Sequence, residues 1–191
     1  MKIIVGTPKS GTTFITRYTH NQYPNYTYLK EHFQPLWYPD GDKNAITKAR
    51  IDALHNQVVF KVHPGKETSE LVWETIYKNK VILIERKDKL AQFVSLGLSY
   101  LSDVWTVYKN EYNPIKGFYK KEWFDDLCYR LDDLDKRKSK LNIEKHYWYE
   151  DIKNLPINGV LPVKQHTQSL DELLNMFDNK DSLLEWYNDR Y

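Results

Sequence analysis

The chain has 191 residues, 41% of them hydrophobic and 28% charged, a balance that supports one globular domain, residues 1–191, with a sizeable core. Its 28 Lys and Arg against 26 Asp and Glu leave a net charge of +2, which excludes the electrostatic footprint of a dedicated nucleic-acid binder and makes any anion site local. The longest apolar run, Val81-Ile82-Leu83-Ile84, is far short of the roughly 20 residues a membrane span requires. Met1 to Val5 enters structure directly with no export signal, and a single cysteine, Cys128, has no partner for an internal disulfide or a cysteine-based zinc framework. A cytoplasmic protein without nucleic-acid or membrane partners is the expectation.

In chain order, the β-branched run at residues 2–5 ends in Gly6, and Thr12 to His20 reads as a helix, giving strand, tight turn, helix. Residues 34–50, rich in Pro, Asp, Gly and aromatics, give no element. Val58 to His63 reads as a strand stopped by Pro64, which cannot donate to a ladder. Glu67 to Tyr77 reads as a helix, Asn79-Lys80 as a turn, and Val81 to Glu85 as an apolar strand buried on both faces of a parallel sheet. Asp88 is a good N-cap for a helix carrying Leu90, Phe93, Val94, Gly97, Leu98 and Leu101 on one side, with Gln92, Ser95, Ser99 and Ser102 on the other. A helix through Trp123, Leu127, Leu131 and Leu134, a strand over Ile143 to Tyr149 and two short helices in the tail complete the chain. This alternation predicts a three-layer α/β domain with a central parallel sheet.

The chemistry concentrates in Gly6-Thr7-Pro8-Lys9-Ser10-Gly11-Thr12-Thr13, placed where backbone amides and a helix dipole converge on an anion. The spacing is that of a P-loop-like phosphate-binding loop, G-x-x-x-x-G. Thr12, however, stands where an ATPase has lysine, and the cation sits at Lys9 instead. ATP-using loops pair that lysine and a hydroxyl with Mg²⁺ to offset the charge of a phosphoryl group. A loop with one lysine at its tip and no obvious acidic metal ligand suits a sulfuryl donor that needs no metal.

Pro8-Lys9-Ser10-Gly11-Thr12-Thr13 resembles the 5′-phosphosulfate loop of sulfotransferases that use 3′-phosphoadenosine 5′-phosphosulfate (PAPS). Lys61-Val62-His63-Pro64 resembles the strand end that supplies a lysine and a catalytic histidine in the cytosolic branch. Arg86-Lys87-Asp88-Lys89-Leu90-Ala91-Gln92-Phe93-Val94-Ser95 resembles the 3′-phosphate segment, in the version of bacterial trehalose-sulfotransferase-like enzymes. Tyr149-Glu150-Asp151-Ile152 resembles the late Tyr-Glu-Asp-Leu segment, whose tyrosine helps hold adenosine. The resemblance spans residues 3 to about 155.

It implies a sulfotransferase that moves the sulfuryl group of PAPS to a hydroxyl of a small molecule or carbohydrate. Pro8, Lys9, Ser10, Gly11, Thr12 and Thr13 would hold the 5′ end. Ser95 with Arg86 or Lys87 would hold the 3′-phosphate, Lys87 standing at the cytosolic offset of eight residues and Arg86 one earlier. Lys9 and Lys61 would stabilise the leaving group. Two bases compete: His63 by the cytosolic pattern, and Glu31, in a Glu-His-Phe resembling the Glu-Tyr-Phe of the trehalose branch, which stands slightly ahead. The Arg-Lys-Gly loop of the cytosolic branch has no counterpart, Lys116-Gly117 being a poor substitute. The alternatives are a small ATP-dependent kinase and a nucleotide-binding module without catalysis. Acceptor identity and oligomeric state are not written in the sequence.

Overall fold

A computed structural model describes residues 1–33, 43–103, 116–152 and 169–191. Five strands, β1 (Lys2–Val5), β2 (Thr27–Tyr28), β3 (Val58–Val62), β4 (Lys80–Glu85) and β5 (Asn142–Trp148), form one sheet in the order β2-β3-β1-β4-β5. Every pairing is parallel. The helices are α1 (Thr12–Gln22), α2 (Lys43–Asp52), α3 (Glu70–Tyr77), α4 (Lys89–Ser102), α5 (Lys121–Lys138), α6 (Tyr149–Ile152), α7 (Leu170–Leu174) and α8 (Lys180–Arg190).

The strands are apolar on both faces because both faces are covered, and side-chain alternation sorts them into two cores. Ile3, Val5, Val58, Phe60, Val62, Val81 and Leu83 pack against Val72, Trp73 and Ile76 of α3 and Leu134 of α5. On the opposite face Ile4, Val59, Ile82 and Ile84 pack against Phe14 and Ile15 of α1 and Ile152 of α6. The predicted three-layer α/β architecture is therefore what the chain adopts. Each fully buried side chain of this size contributes roughly 1.5–3 kcal/mol of transfer free energy. A further core joins α4, α5, α7 and α8 through Phe93, Leu98, Leu127, Leu173, Phe177 and Leu183.

The chain departs from the predicted elements at a few points, each with a local cause. β2 has only two residues and no apolar alternation of its own; Thr27 and Tyr28 gain a register only against Val58 and Val59 of β3. α3 begins at Glu70 rather than Glu67, since the Thr68 amide closes a turn on Gly65 O and its hydroxyl donates to His63 O at 2.7 Å. Tyr149 opens α6 instead of ending β5. Within the stretch that gave no element, Lys43–Asp52 is helical, and residues 34–42 lie outside the described ones. Asp88 caps α4 as expected, its side chain accepting from the Ala91 amide at 2.8 Å.

This topology decides where a site can form. β1 lies between β3 and β4, so the chain fills one side of β1 with β2 at the edge and β3 inside it and then crosses to the other, and ligands of open parallel sheets bind at the carboxyl end of such a switch. The segments following β1, β3, β4 and β5 meet at that edge. Among the described residues no helix is long and apolar enough to cross a membrane.

Candidate functional site

The loop from Gly6 to Gly11 leaves β1 and enters α1 within six residues, which demands unusual backbone. A Cβ on Gly6 would lie 2.4 Å from the Ile84 carbonyl oxygen, so only glycine lets the loop pass beside β4. Gly11 has φ 92 and is the N-cap of α1; a Cβ there would lie 2.7 Å from Cδ2 of Tyr149. Because glycine has no side chain, no side-chain cap reaches the first-turn amides of α1, which point outward with the positive end of the helix dipole. Gly11→Ala is expected to destabilise the fold by on the order of 2–4 kcal/mol, combining left-handed strain with overpacking. Chemical denaturation of the variant checks this.

Ser10 behaves differently from expectation. Its amide and its hydroxyl both turn inward to the Thr7 carbonyl, at 3.3 and 2.7 Å, so the residue braces the loop from within. Ser10 and Thr12 are buried, and Thr13 lends its hydroxyl to Lys61 Nζ at 2.7 Å.

Three cations converge here. Lys9 sits at the tip with φ 61, a conformation a side-chain-bearing residue adopts only when its surroundings impose it. Burial, then repulsion from Lys61 and Arg86, lowers its ammonium pKa to about 7. Arg86 reaches the Lys9 carbonyl only at 3.5 Å, lies 4.7 Å over the Tyr149 ring and keeps 3.7 Å between its Nε and Glu150. That Nε is buried with no hydrogen-bond partner among the described residues. A guanidinium so loosely held retains donors for an anion.

Adjacent residues leaving a strand point to opposite sides, and this separates the two candidate cations of the 3′ segment. Arg86 turns to the loop and Tyr149. Lys87 turns to the surface, where its ammonium pairs with Asp151 at 3.2 Å. Ser95 is half-buried on α4, three residues past Gln92 and on the same helix face. Gln92 itself escaped the sequence reading as a site residue. It is fully buried and donates to Thr7 Oγ1 at 2.7 Å and Pro8 O at 2.6 Å.

Beside the loop, the end of β3 and the segment after β2 bring Glu31, Lys61 and His63 together. The Lys61 amide donates to Lys30 O, so Glu31 continues along the edge of β3. Its carboxylate takes the Lys61 ammonium at 2.5 Å and stands 3.7 Å from His63 Nε2, too far for a hydrogen bond. Burial pushes the Glu31 carboxyl upward, but the adjoining His63 edge and the Lys61 ammonium outweigh it and hold the carboxyl below the ordinary carboxylate range.

His63 Nδ1 lies 2.7 Å from Gly6 O. A carbonyl only accepts, so Nδ1 carries the proton, and burial lowers the imidazole pKa below its ordinary value despite Glu31. The neutral ring therefore presents a lone pair at Nε2. A small cleft lined by Glu31, Phe33, Lys61, His63 and Thr68 opens at this point.

Lys116-Gly117 is not brought to this edge: the Gly117 amide donates to Met176 O and its carbonyl accepts from Asp178 N, joining it to the turn between α7 and α8. Among the described residues no group of three or more His, Cys, Asp or Glu side chains is placed to hold a metal ion. Comparison of the chain with protein-family models, with curated proteins and with solved structures yields no match.

Proposed function

We propose that the chain is a sulfotransferase that moves the sulfuryl group of PAPS onto a hydroxyl of a small molecule or carbohydrate, without a metal ion. One observation carries this reading: Lys9 stands buried at the tip of the loop beside Lys61 and Arg86, at the uncapped start of α1, and burial first and repulsion from the two neighbouring cations second lower its pKa to about 7. Such mutual repulsion is relieved by an anion. The 5′ end of the donor fits the loop, with Lys9 and the amides of Gly11 to Thr13 as its partners. The 3′-phosphate fits the under-used donors of Arg86 with Ser95, and Tyr149, which already supports Arg86 from below, stands beside the adenosine.

In the transfer, the acceptor oxygen forms a bond to sulfur as the bond from sulfur to the phosphate oxygen breaks. The hydroxyl proton passes to His63 Nε2, and the departing phosphate oxygen keeps the electron pair, stabilised by Lys9 and Lys61. The base role goes to His63 rather than Glu31, because efficient bases have pKa values near the working pH, and the Glu31 carboxylate is already tied to the Lys61 ammonium at 2.5 Å and held below the ordinary carboxylate range. Glu31 instead orients Lys61.

Calorimetric titration with 3′,5′-bisphosphoadenosine, adenosine 5′-phosphate and ATP, each with and without Mg²⁺, tests the reading. The bisphosphate is expected to bind roughly 10–150-fold more tightly than the monophosphate, the value of one charge-assisted contact of about 1.5–3 kcal/mol, with no effect of Mg²⁺. Equal affinity for ATP and the bisphosphate, with Mg²⁺ required, points to a phosphoryl donor instead.

The Lys9 ammonium also sets a pH dependence whose sign follows from linkage. Its pKa in the folded chain is about 7, below the ordinary 10.5, and a bound anion raises it again. Binding above pH 7 therefore takes up a proton, and bisphosphate affinity is expected to fall by up to about tenfold per pH unit as pH rises from 7 to 9. Titrations in buffers of different ionisation enthalpy measure that uptake.

A further inference from the structure

The loop is held from outside by one side chain that takes no part in the chemistry above. Gln92 belongs to α4, yet both contacts of its Nε2 are made to the loop, on Thr7 Oγ1 and the Pro8 carbonyl. Since the Pro8 carbonyl only accepts, these contacts fix which end of the amide is nitrogen. The other end, Oε1, is buried with no hydrogen-bond partner among the described residues. An unpaired buried acceptor destabilises, so an amide is a poor choice here for packing alone; methionine or leucine would fill the space without the penalty. What the amide does is fix the carbonyl immediately before Lys9, and Arg86 Nη1 approaches the carbonyl of Lys9 itself. The peptide units on both sides of the Lys9 Cα are thereby held from the β4–α4 segment, at the residue with φ 61.

We propose that Gln92 is a positioning residue for the loop: its side-chain amide clamps the Pro8 carbonyl so that Lys9 keeps its left-handed backbone and its ammonium stays in the cluster with Lys61 and Arg86. Its role in transfer rests on reading that loop as the phosphosulfate site, whereas the clamp is a property of the chain by itself. The charges facing Lys9 come from β3 through Lys61 and from the end of β4 through Arg86, the latter shared with Glu150 of α6. Loss of the clamp releases Lys9 from the first two and from burial together.

The test is a pH titration of Lys9 through its labelled Cε signal in the wild type and in Gln92→Met, which keeps the length of the side chain but cannot donate. The wild-type midpoint is expected near 7, and that of Gln92→Met displaced upward toward the ordinary lysine range, with weaker binding of 3′,5′-bisphosphoadenosine. A general loss of stability would not move this midpoint in protein that remains folded. An unchanged midpoint in folded Gln92→Met overturns the proposal. Should that variant not fold, the wild type decides: a scalar coupling across the hydrogen bond from the Gln92 side-chain nitrogen to the Pro8 carbonyl carbon is expected, and its absence overturns the clamp. A wild type that shows the coupling and the low Lys9 midpoint but does not bind the bisphosphate upholds the clamp and refutes the sulfotransferase reading.

Discussion

Replacing His63 with alanine is expected to lower turnover on an identified acceptor by about 10²–10⁴-fold, the usual contribution of a positioned general base. Bisphosphate affinity should be preserved, since the imidazole faces the cleft with Glu31 and Thr68 rather than the tip of the loop. The reason lies in the two nitrogens: Nδ1 is committed to Gly6 O, so the ring cannot turn, and Nε2 remains the proton acceptor. Glu31→Gln is expected to cost less, because a carboxamide oxygen still accepts from Lys61. If Glu31→Gln abolishes turnover and His63→Ala retains it, the base is Glu31 and the low carboxyl pKa is reversed in the working complex. The pH profile separates the cases further. Turnover should fall on the acid side as the His63 lone pair is lost, below the ordinary imidazole value of 6.5, as its lowered pKa requires.

Lys9→Ala should show the opposite pattern, with weakened binding ahead of any effect on folding. Removing one charge-assisted contact to the donor is expected to weaken bisphosphate binding by about 1.5–3 kcal/mol, roughly 10–150-fold, and to abolish the decline in affinity above pH 7. The folded protein, however, gains from the change. Lys9 holds fewer protons folded than unfolded between pH 7 and 10.5, so its charge destabilises the native state most fully below that window. Alanine removes the repulsion with Lys61 and Arg86 while keeping the same backbone requirement at φ 61. Thermal denaturation of Lys9→Ala at pH 7 should therefore show no loss of Tm in the variant that binds worst, a trade of stability for function that marks a built anion site.

The parts of this arrangement legible in the sequence were those encoded by neighbours along the chain. Gly6 and Gly11 flank a turn between an apolar strand and a helix, Lys61 and His63 are two residues apart on one strand, and Asp88 stands two residues before a periodic apolar run. Each is a local rule, and the structure brings those residues to the same sheet edge. Contacts between distant segments were beyond such rules. Gln92 looked like part of the polar side of a helix, and only the packing of α4 against a loop 85 residues earlier turns it inward. Arg86 and Lys87 could not be ranked from spacing, since which of two successive side chains faces the loop depends on how β4 sits beside β1. Ser10 looked like a ligand donor and instead braces Thr7. β2 carries no pattern of its own, and its two residues are strand only because β3 is there to pair with them.

A crystal structure of the protein with 3′,5′-bisphosphoadenosine measures the central claim most directly. The account requires the 5′-phosphate in the Gly6–Gly11 loop, within hydrogen-bond distance of the Lys9 ammonium and the first amides of α1, and the 3′-phosphate on Arg86. Nucleotide bound elsewhere, or a loop whose lysine has turned away from the phosphate, contradicts it.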